Sequence, residues 1–403
     1  MTAQGDKEAR FDLGPMKGEL ARSMLLSPVI ASLHPTGVVM IVAIQHFEAT
    51  ATAKWLLTVS VALGMILAPL TTLLVSRAQV PITRVLAFTA ALSAGGLILA
   101  GSSTGLWPFV GGILIGGPLL GTSLPLIPAL WRQNVGAKKR GRTFSLVAMS
   151  AAVSALVGGL IISQYMGDDA GRFRPVLFGL AILCLIGGAA IWRVPSVALD
   201  ATASVNPLRC LRFLVQDRLF GYVSLVWYIM GIANLATIPL RTELAASPDY
   251  LNLDAAYAVF LLMVLPEAVS VGAMYVWGRM FDRVNFFALR IAINCAFILS
   301  LLTYFTGTVS GIILGTVCFG IGRGGGTVAW TLWVTKFAKE EHTAEYMAVH
   351  TFLTATRAMI GPYLAYLMLT HEWLPINQIG WLAAALMTGA SLMLVPVLKY
   401  GRR

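Results

Sequence analysis

Apolar residues in this chain do not alternate with polar ones at the spacing of a strand or a half-buried helix. They come in long runs broken by short polar stretches. Twelve runs approach or exceed the ~20 residues that carry a helix across a bilayer. They cover residues 23–47, 53–75, 85–101, 106–131, 143–165, 175–192, 220–244, 255–280, 288–306, 309–335, 343–369 and 378–398. The longest interior polar segment, 193–218, falls between the sixth run and the seventh. It predicts two six-helix bundles, 23–192 and 219–398, flanked by a hydrophilic segment, 1–22, and a short tail, 399–403.

Composition sharpens the class. Apolar residues make up 57% of the 403 and charged residues 12%, where a soluble domain is nearer a quarter charged. An all-α integral membrane protein follows, and the 1–22 segment carries no sign of a cleaved leader. The net charge of +11 is a matter of topology. Most Lys and Arg fall on the side of the termini, whereas Lys54, Arg172, Arg174 and Arg241 fall on the other. Basic loops stay cytoplasmic, so both termini are expected inside, in a cytoplasmic membrane, and no nucleic-acid partner is implied. The four cysteines show no C-x-x-C pairing and read as small packing groups.

The halves echo one another. The turn after the second run reads SRAQVPITR (76–84) and the turn after the eighth reads DRVNFFALR (282–290), each with Arg second and Arg again seven residues later. Internal repeats of this kind build many secondary transporters. Twelve spans in a 6+6 arrangement, an inside linker and GRMFDR (278–283) together resemble the major facilitator superfamily. Gly278, Asp282, Arg283 and Arg290 match that family's G-x-x-x-D-R signature and its trailing basic residues, and KKRGRTFS (138–145) resembles the start of its fifth helix. In the first half Thr72 and Ser76 replace the Gly and Asp. The fifth run has Gly158-Gly159 but lacks the Gly-Pro of the antiporter signature. The resemblance implies a fold of two pseudo-symmetric six-helix bundles, alternating access to a central site, and an inside gate. Gly278, Asp282 and Arg283 would serve that gate, with Asp282 meeting Arg140 and Arg142 when it closes.

A charge at mid-bilayer costs about 2.5 to 3.5 kcal/mol on insertion scales and marks function by default. Runs 3, 6, 9 and 12 hold no ionisable core residue, and in the resembled fold these are the peripheral helices. The exceptions all fall elsewhere: His34 in run 1, Glu267 in run 8, Arg323 in run 10, and His350 and Arg357 in run 11. Helical periodicity puts His350, Thr354 and Arg357 on one face, and Arg323, Thr327 and Trp330 on another. Two arginines against one glutamate suggest an anion site, since a guanidinium forks onto carboxylate or phosphate. Glu267 balances one Arg, either Arg323 or Arg357, or carries a coupling proton, a role His34 also suits. Trp330, Trp227 and Tyr228 are candidates for apolar parts of the solute.

No catalytic or metal constellation stands out, and the Met347/His350 pair lacks a second cluster. GIGRGGG (320–326) has G-x-G-x-x-G spacing, yet a dinucleotide loop needs a strand before it and a soluble helix after it. Here it lies inside an apolar span, where the glycines leave room beside Arg323 and ease bending. The expectation is a monomeric, non-enzymatic secondary transporter without cofactor, moving a small organic anion with protons. Its site comprises Arg323, Arg357, Glu267, His34, Trp330, Thr327 and His350. A polyspecific drug/proton efflux pump and a non-transporting sensor or assembly factor on the same scaffold are the alternatives.

Overall fold

A computed structural model describes residues 14–199, 207–332 and 343–400, with 137–142, 207, 282, 328, 330–332 and 343–344 described as backbone only. The described residues are helices and connecting turns. The first bundle comprises α1 (Lys17–Leu33), α2 (Val38–Gln45), α3 (Ala51–Ala78), α4 (Ile82–Gly101), α5 (Leu106–Ser123), α6 (Leu126–Asn134), α7 (Ala137–Met166) and α8 (Phe173–Ile191). Two short helices, α9 (Pro207–Cys210) and α10 (Phe213–Gln216), lie in the linker. The second bundle comprises α11 (Arg218–Ala246), α12 (Ala255–Val259), α13 (Leu265–Arg283), α14 (Phe286–Tyr304), α15 (Val309–Leu332), α16 (Thr343–Thr370) and α17 (Ile376–Met393).

Eleven described helical stretches are long and apolar enough to cross a membrane. The remaining long rod, α16, has 28 residues, and its middle is diluted by His350, Thr351, Thr354, Thr356 and Arg357. Side-chain caps set several starts. Asp217 accepts from the amides of Leu219 and Phe220 at the head of α11, Asp254 from Tyr257 at α12, and Asn285 from Phe287 and Ala288 at α14.

Three spans expected to be single helices are interrupted. In the first, α1 ends at Leu33 and α2 begins at Val38. Pro35 cannot donate to the ladder, and Gly37 sits so close to the carbonyls of Ala31 and Ser32 that a Cβ would collide with them. In the fourth, Leu124 and Pro125 separate α5 from α6. In the eighth, α12 passes into α13 through a π turn, Phe260–Val264, with the Leu265 amide bonding back five residues to Phe260. The widened turn comes just before Pro266 and one residue more before Glu267. Such insertions are common at functional sites.

Within each bundle neighbouring helices pack along their length: α4 against α5 and α8, α1 against α7, α13 and α14 against α15, α11 against α16 and α17. Contacts between the bundles run along α3–α16, α2–α11, α2–α12 and α7–α12–α13. The peripheral helices α4, α8, α14 and α17 present large apolar side chains outward, among them Phe88, Ile182, Leu302 and Leu392. Those surfaces suit lipid, and the protein is a multi-pass membrane protein. The segment α2 is the opposite case: Val38 through Ile44 are almost completely buried, so it forms the centre of the seam.

Hydrogen bonds across the seam gather in the half of the molecule away from the chain termini. Gln45 Nε2 donates to the carbonyls of Ala246 (3.1 Å) and Leu253 (2.7 Å), and Trp55 Nε1 to Met359 (3.2 Å). Thr242 Oγ1 donates to the carbonyl of Pro35 (2.8 Å), and Ser163 Oγ to that of Ala256 (2.7 Å). Lys54 Nζ meets Glu243 Oε1 at 2.7 Å. Among the described residues no comparable bond joins the bundles at the terminal end. This distal end is latched.

Candidate functional site

The site begins with the packing of α15. Its glycines are distributed around the helix rather than lining one face. Added Cβ atoms at Gly320 and Gly324 would lie 2.8 Å from the carbonyl oxygens of Pro266 and Ser270 on α13. At Gly322 and Gly325 they would press on Phe297 and Ile293 of α14. The GIGRGGG stretch is therefore the wedge by which α15 fits between two neighbours, and it is continuous helix, not a loop. Trp277 Nε1 adds a bond to the carbonyl of Ile321 at 2.9 Å. Arg323 is the one charged side chain in the stretch, and it remains substantially exposed.

Arg323 Nη2 contacts Glu267 Oε2 at 2.8 Å, with the arginine side chain 39% exposed and the glutamate 12%. The carboxylate is thus the covered member of the pair and the guanidinium the more open one. Across the seam, His34 occupies the break between α1 and α2 and lies within electrostatic reach of Arg323. Its Nδ1 is 2.8 Å from Thr36 Oγ1 and accepts from the Thr36 amide at 3.3 Å. The Pro35 carbonyl accepts the Thr242 hydroxyl at 2.8 Å. Thr327 Oγ1 donates to the Arg323 carbonyl at 3.0 Å, one turn further along α15.

Arg357 is turned elsewhere. Its Nη1 donates to the Trp227 carbonyl at 2.6 Å and its Nη2 to Thr354 Oγ1 at 2.9 Å. The guanidinium fits against Gly231, where any Cβ would collide with it. His350 lies edge-on to Trp227, ring centroids 5.2 Å apart, and on the same ring stands Arg290, its guanidinium carbon 4.6 Å from the centroid. Of the two arginines open as partners to Glu267, Arg323 is the one that pairs. Arg357, His350 and Thr354 form a second cluster against α11. Trp227 is the buried centre of that cluster, so it packs rather than lining a cavity.

Of the expected gate residues, Gly278 has nothing within 4 Å of an added Cβ, and Arg283 is exposed. The side chains of Arg140, Arg142, Asp282 and Trp330 lie outside the described residues. Among the described residues no group of three His, Cys, Asp or Glu is placed to hold a metal ion.

Four charged residues of consequence lay outside the expected site. Arg290 was expected in a cytoplasmic turn but is buried inside α14, and Arg241 was expected at the outer edge but is 2% exposed. Lys54 and Glu243 join the bundles in a largely buried pair. Each sits at the end of a predicted span, where hydropathy places the membrane edge only to within a turn. A Lys in the first turn of one span and a Glu in the last turn of another, both at the outer end, was the available signal.

The comparisons agree with this architecture. The family model described as Major Facilitator Superfamily matches residues 23–362. A search of curated proteins found no match. Among solved structures, a point variant of the nucleoside transporter NupG superposes with TM-score 0.73 at 13% identity, covering 97% of this chain and 100% of its own. A D-xylose–proton symporter gives TM-score 0.68 at 14% identity, covering 95% and 98%. The human organic anion transporter MFSD10 gives 0.63 at 14%, covering 94% and 97%. Such identities carry the fold alone. The family model spans most of the chain, and the solved structures it superposes on are transporters: the chain belongs to the major facilitator superfamily and is a transporter, not an enzyme.

Proposed function

We propose that the protein is a secondary active transporter carrying a small organic anion together with a proton across the cytoplasmic membrane. The observation that carries this reading is the asymmetry of the Glu267–Arg323 pair: a half-open guanidinium in front of a nearly covered carboxylate. A solute carboxylate approaching Arg323 finds donors free, but it competes with Glu267 for the same charge. Protonating Glu267 removes the competitor. A negative solute and a proton then enter the site together, and the site stays close to neutral throughout. Desolvated charges in a low-dielectric site make that balance strongly preferred. His34, on the facing bundle, lets the first half sense the same charge.

Basic loops at the terminal end make it the cytoplasmic side by the positive-inside rule. The latched distal end is then external, and the conformation faces inward. Outward opening requires parting Lys54 from Glu243, Gln45 from Ala246 and Leu253, and Trp55 from Met359. Each chain holds a complete seam, which is consistent with a monomer at work. The similarity to MFSD10, an organic anion transporter, and to a proton symporter is compatible with this reading.

A thermal-shift screen of the purified protein tests the substrate class, using organic carboxylates, organic cations and neutral sugars and nucleosides at fixed pH. Carboxylates are expected to raise the melting midpoint of the parent and to lose that effect in Arg323→Ala. Stabilisation by cations alone would favour the efflux alternative and sink the proposal.

A further inference from the structure

A second buried arginine stands apart from the site above. Arg241, on α11, is 2% exposed and has no carboxylate within 4 Å among the described residues. Its guanidinium carbon lies 4.7 Å from the Tyr304 ring centroid and 4.6 Å from that of Phe319, and its Nη2 donates to Ser300 Oγ at 3.0 Å. Ring faces soften a buried cation, but they do not neutralise it, and Nε has no partner.

Arg241 lines a small cavity of about 10 Å³ together with Thr36, Pro266, Tyr304, Thr316 and Phe319. Thr316 Oγ1 is buried there and also lacks a partner. Two orphan polar atoms and an uncompensated positive charge therefore border one void, which has room for a single small occupant. Leaving such a charge unpaired in the interior is costly, and a water molecule supplies dipole but no charge. We propose that this cavity binds a halide-sized monovalent anion, received by the Arg241 guanidinium and the Thr316 hydroxyl.

The walls give the site a conformational role. Thr36 belongs to the first bundle, and the other named residues belong to the second. In this latched arrangement its walls come from both bundles, so the anion stabilises that state and loses ligands when the seam opens. Thr36 is also the hydrogen-bond partner of His34, which places the anion one residue away from the central site.

The test is thermal unfolding of the purified full chain in sodium chloride against sodium gluconate at equal ionic strength, with crystals grown in bromide for anomalous diffraction. Chloride and bromide are expected to raise the melting midpoint saturably, and a bromide peak is expected between residues 241 and 316. Thr316→Val should remove most of the chloride increment while leaving the gluconate midpoint within a few degrees. Arg323→Ala should retain the increment. Equal midpoints in the two salts with no bromide peak would overturn the proposal, leaving water as the occupant. A chloride effect unchanged in Thr316→Val, or abolished in Arg323→Ala, would place the anion elsewhere and overturn it as well.

Discussion

The two bundles share a fold and divide the chemistry unequally. In the first, the central polar group is His34, and the interior is built by backbone contacts through glycine: Gly64 against Pro118 and Gly121, Gly96 against Gly112 and Gly116. The second also uses glycine wedges, but it places Arg241, Glu267, Arg290, Arg323, His350 and Arg357 within its membrane helices. Only Glu267 and Arg323 of these form an ion pair with each other. A closely packed glycine wall with no charge at its centre is cheap to insert. A wall with buried cations is costly to insert and keeps its charge available to ligands. The difference suggests that the first bundle works mainly as the surface against which the second binds and rocks.

The sharpest way to break that contrast is to spoil the wall. Gly64→Val puts a branched side chain where even a Cβ would strike the Pro118 carbonyl. Overpacking costs about 1–3 kcal/mol and occasionally more; a branched side chain driven into backbone stands at the upper end, and the variant should melt far below the parent or fail to accumulate. Gly278→Ala, with open space around it, should melt as the parent does. Similar melting of Gly64→Val and the parent would remove the close-packed-wall reading.

An effect on conformation rather than on folding should follow from loosening the seam. Removing one partner of a buried ion pair costs about 3 kcal/mol or more, enough to shift a two-state equilibrium about a hundredfold. Lys54→Ala should therefore populate an outward-open state. Spin labels at Glu48→Cys and Asp249→Cys, with Cys295 replaced by serine, should show a longer distance population than in the parent. An unchanged distribution would mean that Lys54 and Glu243 do not latch the seam.

The smallest effects separate the paired repeat arginines. Arg290 is buried over Trp227 with Met230 Sδ at 3.5 Å as its hydrogen-bond acceptor, and the Arg357 charge repels it. Removing a buried cation without a counter-charge also removes its desolvation penalty. Arg290→Met should melt at or above the parent midpoint. Arg84 is exposed and lies 5.9 Å from the Trp192 ring, so Arg84→Met should change stability by less than about 0.5 kcal/mol. A large loss in the first variant would show that Arg290 has a counter-charge.

Much of this was legible in the chain. Long apolar runs gave the spans, and runs 3, 6, 9 and 12 correspond to the peripheral helices α4, α8, α14 and α17; the expectation that their cores hold no charge fails for run 9, where Arg290 is buried inside α14. His34-Pro35-Thr36-Gly37 carries its own helix break. Periodicity placed Arg357 with His350 and Thr354, and they do share a cluster. It did not decide between Arg323 and Arg357 as the partner of Glu267. A repeat of 3.6 residues says which side chains share a face, but the rotation of that face toward a neighbour depends on packing across the bundle. Gly231 opens the slot that takes Arg357, and the glycines of α15 set the pose of Arg323. Neither relation is local in sequence. Arg241 and Arg290 were missed for a different reason: a residue near the end of an apolar run looks solvated until the neighbouring helix is seen to cover it.

The central claim is that Glu267 and the solute compete for Arg323, and that a proton decides the contest. Proteoliposome transport with a carboxylate from the thermal screen tests it directly, comparing the parent with Glu267→Gln under an imposed pH gradient. The parent should accumulate the carboxylate along the proton gradient. Glu267→Gln should exchange labelled for unlabelled solute at a rate near the parent's, yet accumulate none above equilibrium. Gradient-driven accumulation by Glu267→Gln equal to the parent's would contradict the account.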